Sequence, residues 1–259
     1  MKDFSLEIYK EYVNVIKLSG LKFITFKEYL STASKPEKFC LIRHDVDRKA
    51  GYALKMAKLE KELGAVATYY FRIKPDSFVK EVIHEIAEMG HEVGYHYECL
   101  SDTNGNYEKA LIDFELNLKK FDGLADVKTI SMHGRPFKPY DNRDLWRLKE
   151  NHQLLENKYG ILGEIYLDID YTDIAYINDT GRNWLSNVSN FRDKTNSKVK
   201  AEFNNADELL NYLKTSVHPK MVFQIHPERW SSTNFQWLRA NAEDTTINLI
   251  KSIIKMMRK

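Results

Sequence analysis

Phe39-Cys40-Leu41-Ile42-Arg43-His44-Asp45-Val46-Asp47-Arg48 runs from four apolar residues straight into two acids, a histidine and two arginines. A short apolar run that stops at ionisable groups reads as a buried strand delivering them to the rim of a sheet, where α/β enzymes keep their chemistry. With a period of two, Asp45 and Asp47 fall on one face. Two carboxylates that close either repel, which raises one pKa, or share a cation. A hydrolytic metal site can use both outcomes. The plainer reading of the same residues is a solvated acidic turn paired with Arg43 and Arg48.

Outward from this stretch the pattern alternates. Helical periodicity covers 6–17 and 50–63, the latter stopped by Gly64, and β-branched and aromatic residues at 66–72 read as a strand. Pro75-Asp76-Ser77 opens a helix to Met89, residues 91–97 are extended, 106–121 are helical and 128–132 strand-like. A short helix at 143–149, weaker strands at 164–167, 174–177 and 199–202, a helix at 206–214 and a strand at 221–225 follow. A last helix spans about 237–257, its stripe of Ile247, Ile250, Ile254 and Met257 suited to core packing. Strands alternating with helices imply parallel strands with crossover helices, hence a barrel or doubly wound sheet. No linker or repeat interrupts the pattern. The expectation is one domain over 1–259, with a helical cap at 1–37, a motif-bearing barrel at 38–230 and a C-terminal helix at 235–259. Residues 178–198, polar and rich in Asn, Ser and Asp, predict a long loop over one end of the sheet.

Composition sets limits. A 259-residue chain with 43% hydrophobic residues can build a full core. The net charge of +2 leaves 39 basic against 37 acidic residues, and no basic tract argues for nucleic acid; Lys251, Lys255, Arg258 and Lys259 read as the basic end of a helix. No apolar run is long enough to span a bilayer, and the opening MKDFSLEIYKEY carries acids where a signal peptide would be apolar. A cytoplasmic setting is therefore expected. Two cysteines make no disulfide framework; Cys40 reads as core, and Cys99 as core with ligation the sharper alternative.

Four histidines fall at strand ends: His44, His96, His133 and His226. If the strands are parallel neighbours, their carboxyl ends converge, and His with Asp there form a nitrogen–oxygen set suited to zinc or another divalent transition metal. His91 reads as a turn histidine, and His84, His152 and His218 as surface residues. Trp184 and Trp230 follow site motifs and are candidates for stacking a sugar ring.

The order RHDVD, GHEVGYHYE, SMHGRP, NDTGRNW and IHPERW, over residues 38 to 230, resembles the polysaccharide deacetylase superfamily. More narrowly it is similar to the branch with a His-Asp-Val-Asp first motif found among surface-glycan biosynthesis proteins. The resemblance implies a distorted (β/α) barrel of about seven parallel strands. It also implies metal-dependent removal of an acetyl group from an N-acetylated sugar, here a small or lipid-linked precursor. Carried over, Asp45 would be the general base, Asp47 and His96 metal ligands, and His226 the general acid. The second motif usually has another histidine where this chain has Leu100, so the third ligand is expected at His133, with Glu98 as the alternative. Arg135 of Gly134-Arg135-Pro136 would steady an acid or bind substrate, and Asp179 or Arg182 would orient His226 or the sugar. A one-residue shift would make Asp45 a ligand and His44 the base. Rival readings are a metal-independent amidase on a non-sugar amide and an inactive carbohydrate-binding barrel. Sugar, acyl group and oligomeric state stay open.

Overall fold

A computed structural model describes residues 2–135, 138–185 and 192–242. Its centre is a sheet of wholly parallel strands in the order β6-β5-β4-β3-β2-β8-β7. The strands are β1 (Lys22–Phe23), β2 (Phe39–Val46), β3 (Thr68–Phe71), β4 (Glu92–Tyr97), β5 (Thr129–Met132), β6 (Gly163–Glu164), β7 (Ala175–Asn178) and β8 (Lys220–Ile225). β1 pairs with the start of β2, Lys22 opposite Phe39. Seven strands thus curl into the distorted (β/α) barrel that the motif resemblance implied. The helices that return the chain are α1 (Leu6–Leu18), α2 (Phe26–Ser31), α3 (Ala50–Leu63), α4 (Lys80–Glu88), α5 (Cys99–Asp102), α6 (Tyr107–Leu118), α7 (Asp144–Arg147), α8 (Lys149–Asn157) and α9 (Ala206–Thr215).

Local chemistry sets the ends of these elements. Ser5, Asn106 and Asn205 cap α1, α6 and α9 by accepting from the backbone N–H three residues on, at 3.3, 2.9 and 3.0 Å. α3 ends where Gly64 turns left-handed at φ 72° and closes the last turn onto Glu60 and Lys61. β2 is buried along its whole length, as a central parallel strand must be. It extends past the apolar run to Val46, because Arg43 and Asp45 neutralise each other inside the sheet.

Several expectations change. Pro75-Asp76-Ser77 forms a turn, and α4 starts only at Lys80. The strand expected at 164–167 shrinks to Gly163–Glu164, since the Glu164 carboxylate accepts from Tyr166 N and Leu167 N and bends the chain away. Residues 199–202 form no strand; a single antiparallel bridge joins Trp184 to Phe203 nearby. The helix expected at 143–149 becomes α7 and α8, and α2 and α5 were not anticipated. The last helix is described only over 234–242; the Ile247–Met257 stripe and the basic end lie outside the described residues, as does part of the 178–198 loop.

Gly94 in β4 marks the tightest approach in the barrel. A Cβ there would lie 2.4 Å from the Tyr70 ring and 2.8 Å from the Thr129 carbonyl oxygen. The backbone oxygen cannot swing aside, so overpacking of this kind costs about 1–3 kcal/mol. Gly94→Ala is expected to lower the free energy of unfolding by that amount, read as a lower urea midpoint with little change in m-value; an unshifted midpoint would show that β3 and β5 part freely here.

Candidate metal and catalytic site

Alternation along β2 sends Arg43, Asp45 and Asp47 to the barrel interior and rim, and His44 to the helix side. Arg43 is fully buried and grips Asp45 twice, Nε to Oδ1 and Nη2 to Oδ2, both at 2.8 Å. Its remaining donors reach Tyr166 Oη at 2.7 Å, Tyr176 Oη at 3.0 Å and Ser131 Oγ at 2.7 Å. Gln224 Nε2 donates to Asp45 Oδ2 at 2.7 Å and its Oε1 accepts from Tyr176 at 2.7 Å. Burial pushes the Asp45 carboxyl up, but the Arg43 guanidinium, with His96 and His226 nearby, wins and holds it below the usual carboxylate range. Asp45 is therefore an ionised, rigidly aimed carboxylate.

Asp47 sits just past β2, and two imidazoles converge on its Oδ1: His96 Nε2 at 3.6 Å and His133 Nε2 at 3.5 Å. Each ring is fixed from behind. His96 Nδ1 lies 3.0 Å from the Ser131 carbonyl and His133 Nδ1 2.7 Å from Glu98 Oε2. Those oxygens only accept, so each Nδ1 carries a proton and each Nε2 is the nitrogen turned toward Asp47. Asp47 Oδ1 itself is buried without a hydrogen-bond partner.

Among the described residues, no group of three or more His, Cys, Asp and Glu side chains is found that could hold a metal ion as the side chains stand. Yet ligands at ~2.1 Å around a tetrahedral ion stand roughly 3.4 Å apart. The 3.5–3.6 Å approaches to the unpartnered Asp47 oxygen match that spacing, and the donor set suits a zinc-type ion. Asp47, His96 and His133 are the residues that fit such an ion. Burial comes first among the effects on His96 and lowers its pKa to about 4 despite Asp45 and Asp47, leaving it the neutral form that binds metal.

Glu98, the alternative ligand, is consumed elsewhere. It receives Arg72 at 3.0 Å, Lys74 at 2.9 Å, Arg135 at 3.0 Å and His133. Its place is behind His133, orienting the ring. Arg135 does steady an acid, but that acid is Glu98, with Asp102 at 3.1 Å; Asp45 is steadied by Arg43. Leu100 packs in the hydrophobic core.

On the opposite side, β8 ends at His226. Its Nδ1 pairs with Asp179 Oδ1 at 2.6 Å. Asp179 is wholly buried and also accepts from His226 N at 3.0 Å, Trp230 Nε1 at 2.8 Å and Arg229 Nη1 at 3.2 Å. Burial and Arg229 press the His226 pKa down, but Asp179 and then Asp45 outweigh them and raise it. An imidazolium held by its Nδ1 offers Nε2 as a proton donor. Asp179 therefore orients the histidine and has no surface left for a sugar.

Three expected substrate contacts lie away from the rim. Trp184 and Trp230 are core residues, 3% and 1% exposed. Trp184 stacks on Phe4 at 5.1 Å, and Trp230 meets Tyr9 edge-on at 5.2 Å, so neither ring offers a platform. Arg182 donates to the Arg229 carbonyl at 2.7 Å and lies over Phe4 and Trp237. His44, the alternative base, is on the wrong face: its Nε2 meets Glu60 Oε1 at 2.6 Å and its ring stacks on Tyr69. His91 is structural as expected, bridging Ala67 N and the Ala57 carbonyl. Cys99 is buried against Tyr95 Oη, its thiol pushed up by that burial.

The plainer sequence reading paired Arg43 with the acids, but in a solvated turn rather than a buried site, and it named none of Ser131, Tyr166, Tyr176 and Gln224; all five hold Asp45, directly or through Arg43. A signal existed for two of them: Arg43 stands two residues before Asp45, and Gln224 interrupts an otherwise apolar strand. Tyr176 also walls a groove of about 470 Å³ that Asn178, Lys194, Lys198 and Lys200 help line, beside the Asp45 network.

No protein-family model matches the chain, and no curated protein does. Among solved structures it is similar to a CE4 family pseudoenzyme from Bacillus anthracis, at 12% identity and a TM-score of 0.44. That likeness covers 81% of this chain and 61% of the other, so the chain spans about three fifths of the pseudoenzyme's length. It is also similar to the Xyl-CE4 domain of a multidomain xylanase from the hindgut metagenome of Trinervitermes trinervoides, at 14% identity, TM-score 0.42 and 85% of both chains. A family 4 carbohydrate esterase from Bacillus anthracis gives 15% identity and a TM-score of 0.40 over 93% of this chain and 85% of that one. Values of this size carry no activity from one chain to another, and the functional reading rests on the residues above.

His96 has a pKa of 6.5 when unperturbed and about 4 in the fold, so between those values the unfolded chain takes a proton that the native state refuses. Stability is then fully present above pH 6.5 and lost as pH falls towards 4. Urea midpoints of metal-free protein across this window are expected to fall with pH, and more shallowly in His96→Gln. Parallel curves for the two proteins would remove His96 as the source.

Proposed function

We propose that this chain is a metal-dependent hydrolase that removes an acetyl group from an N-acetylated amino sugar or surface-glycan precursor in a cytoplasmic setting. The observation that carries the reading is the convergence of two imidazole Nε2 atoms on the buried Asp47 Oδ1, which lacks a hydrogen-bond partner, with an anchored carboxylate on one side and an acid-poised histidine on the other. The sugar enters through the motif resemblance; among the described residues, no helix is long and apolar enough to cross a membrane.

A divalent transition metal, zinc by donor type, held by Asp47, His96 and His133, would supply Lewis acidity to the amide carbonyl and make water a competent nucleophile near neutral pH. The chain's own residues supply the proton movements. Asp45 takes a proton from the attacking water; its low pKa limits its basicity but keeps it ionised, and Arg43 and Gln224 fix its aim. The carbon–nitrogen bond then breaks as His226 Nε2 gives its proton to the departing amine, while Asp179 stabilises the imidazolium beforehand and holds the ring in place.

Metal analysis of protein purified without chelators tests this. About one transition ion per chain is expected, lost in Asp47→Ala and His96→Ala. Asp45→Asn should keep the ion while acetate release from N-acetylated amino sugars falls about 10²–10⁴-fold. Background metal in the wild type with activity intact would favour a metal-independent amidase. Sugar binding without acetate release under any metal supplement would make the chain a binding barrel.

A further inference from the structure

The groove of about 470 Å³ beside β7 carries charge that this chemistry does not use. Lys194, Lys198 and Lys200 line it, and no hydrogen bond or ion pair among the described residues holds their ammonium groups. Along 194–200 exposure alternates: the lysines and Asn196 are exposed, the residues between them half-buried. A period of two sets the lysines on one side of the segment. Extended chain advances about 3.5 Å per residue, so the row reaches up to roughly 20 Å.

The lysine side chains do not hold this segment in place. Asn196 Oδ1 accepts from Tyr171 N at 3.0 Å, and its Nδ2 donates to Asp170 Oδ1 at 3.0 Å. Ser197 Oγ donates to the Ile174 carbonyl at 2.7 Å, and Lys198 N to the Thr172 carbonyl at 3.1 Å. The segment is thus pinned to the lead-in of β7 by other groups. The lining also carries two acids, Asp193 and Glu202, but Tyr166 Oη engages Asp193 at 3.2 Å, and the lysines remain in excess.

The groove adjoins the candidate centre through β7. Tyr176, on its wall, accepts from Arg43 at 3.0 Å and donates to Gln224 at 2.7 Å, and both of these hold Asp45. Asn178, at the carboxyl end of the strand, also lines it and precedes Asp179, the partner of His226. We propose that this groove binds the phosphates of a diphosphate-linked amino sugar whose acetamide is the group hydrolysed. The proposal rests on the hydrolase reading above. An ammonium group is a compact point charge suited to phosphate oxygens. A diphosphate sets two or more negative charges side by side, which a row of lysines neutralises better than it would the single carboxylate of an acidic sugar. The volume falls within the roughly 300–1,000 Å³ usual for small-molecule sites. A nucleic-acid strand would need aromatic faces for its bases, and the one aromatic residue in this lining, Tyr176, is buried with its hydroxyl engaged.

Calorimetric titration of the full chain with inorganic pyrophosphate, uridine diphosphate and geranyl diphosphate tests the groove, with chelator present so that no metal bridges the anion. All three are expected to bind, and more weakly as salt rises. Lys198→Gln and Lys200→Gln should each weaken binding about tenfold, whereas Lys198→Arg, which keeps the charge, should retain it. Tighter uridine diphosphate would support a nucleotide-linked sugar, and tighter geranyl diphosphate a lipid-linked one. Absence of binding in the wild type, or affinities unmoved in both glutamine variants, would overturn the proposal, as would oligogalacturonate binding in place of the diphosphates. The hydrolase reading fails separately. Diphosphate binding with no acetate released from uridine diphosphate N-acetylglucosamine or free N-acetylglucosamine, under any metal supplement, would overturn that reading and leave a diphosphate site. Acetate release from the free sugar without diphosphate binding would sustain the reading and overturn the groove.

Discussion

The buried pair of Arg43 and Asp45 is the constraint on which the interior of this barrel depends. Two opposite charges taken out of water lose several kcal/mol of hydration each, and attraction repays this only when geometry and further hydrogen bonds are favourable. Both conditions hold. The guanidinium is planar against the carboxylate, and its spare donors end on Tyr166, Tyr176 and Ser131, while Gln224 fills the remaining carboxylate position. β2, β5, β7, β8 and the turn after β6 therefore meet at a single ion pair. Strands that would otherwise be fixed only by apolar packing acquire a unique register around it. Because so much structure fixes Asp45, its carboxylate cannot turn away from the rim.

The period of two in β2 has a second consequence. Between the interior residues Arg43 and Asp45, His44 faces the helices and joins a separate buried network. There Glu60 of α3 accepts from Tyr9, from Tyr69 at 2.6 Å and from His44. Burial resists ionisation of Glu60, but His44 and His91 outweigh it and hold the carboxyl below its ordinary value. The strand thus separates two polar clusters, one that ties α1 and α3 to the sheet and one that serves the rim. A one-residue slip would exchange them and leave both sets of charges unmatched, which makes the register hard to mistake.

That separation shows what could be read from the sequence and what could not. Alternation of apolar runs with helical periodicity is a local signal, and it was enough for a parallel α/β sheet with His96, His133 and His226 at strand ends, while the choice of a barrel over a doubly wound sheet came from the motif resemblance. The choice between Asp45 and His44 needed the face of the strand, which an apolar run followed by RHDVD does not declare. The choice between His133 and Glu98 needed a count of Glu98's partners, drawn from the β3–α4 connection and the segment after β5. Trp184 and Trp230 were misplaced for a similar reason. Neighbouring a motif in sequence says nothing about whether a ring turns towards the rim or into the core, and here Phe4, Tyr9 and Tyr12 from the N-terminal segment cover them. The short strand β6 was overextended because side-chain capture of backbone N–H groups by Glu164 carries no periodic signature.

The three rim histidines also show how one residue type is divided between two tasks. In each, Nδ1 is held from behind, so Nε2 is the nitrogen that meets a ligand. For His96 and His226 the partner of Nδ1 then decides the proton. For His96 that partner is a neutral carbonyl, which cannot offset burial, and the ring stays neutral well below pH 7. For His226 it is the ionised Asp179, itself satisfied by Trp230, Arg229 and the His226 backbone, and this raises the pKa despite equal burial. Exchanging the partners of His96 and His226 would exchange their protonation: a carboxylate behind His96 would favour an imidazolium there, and a carbonyl behind His226 would leave that ring neutral.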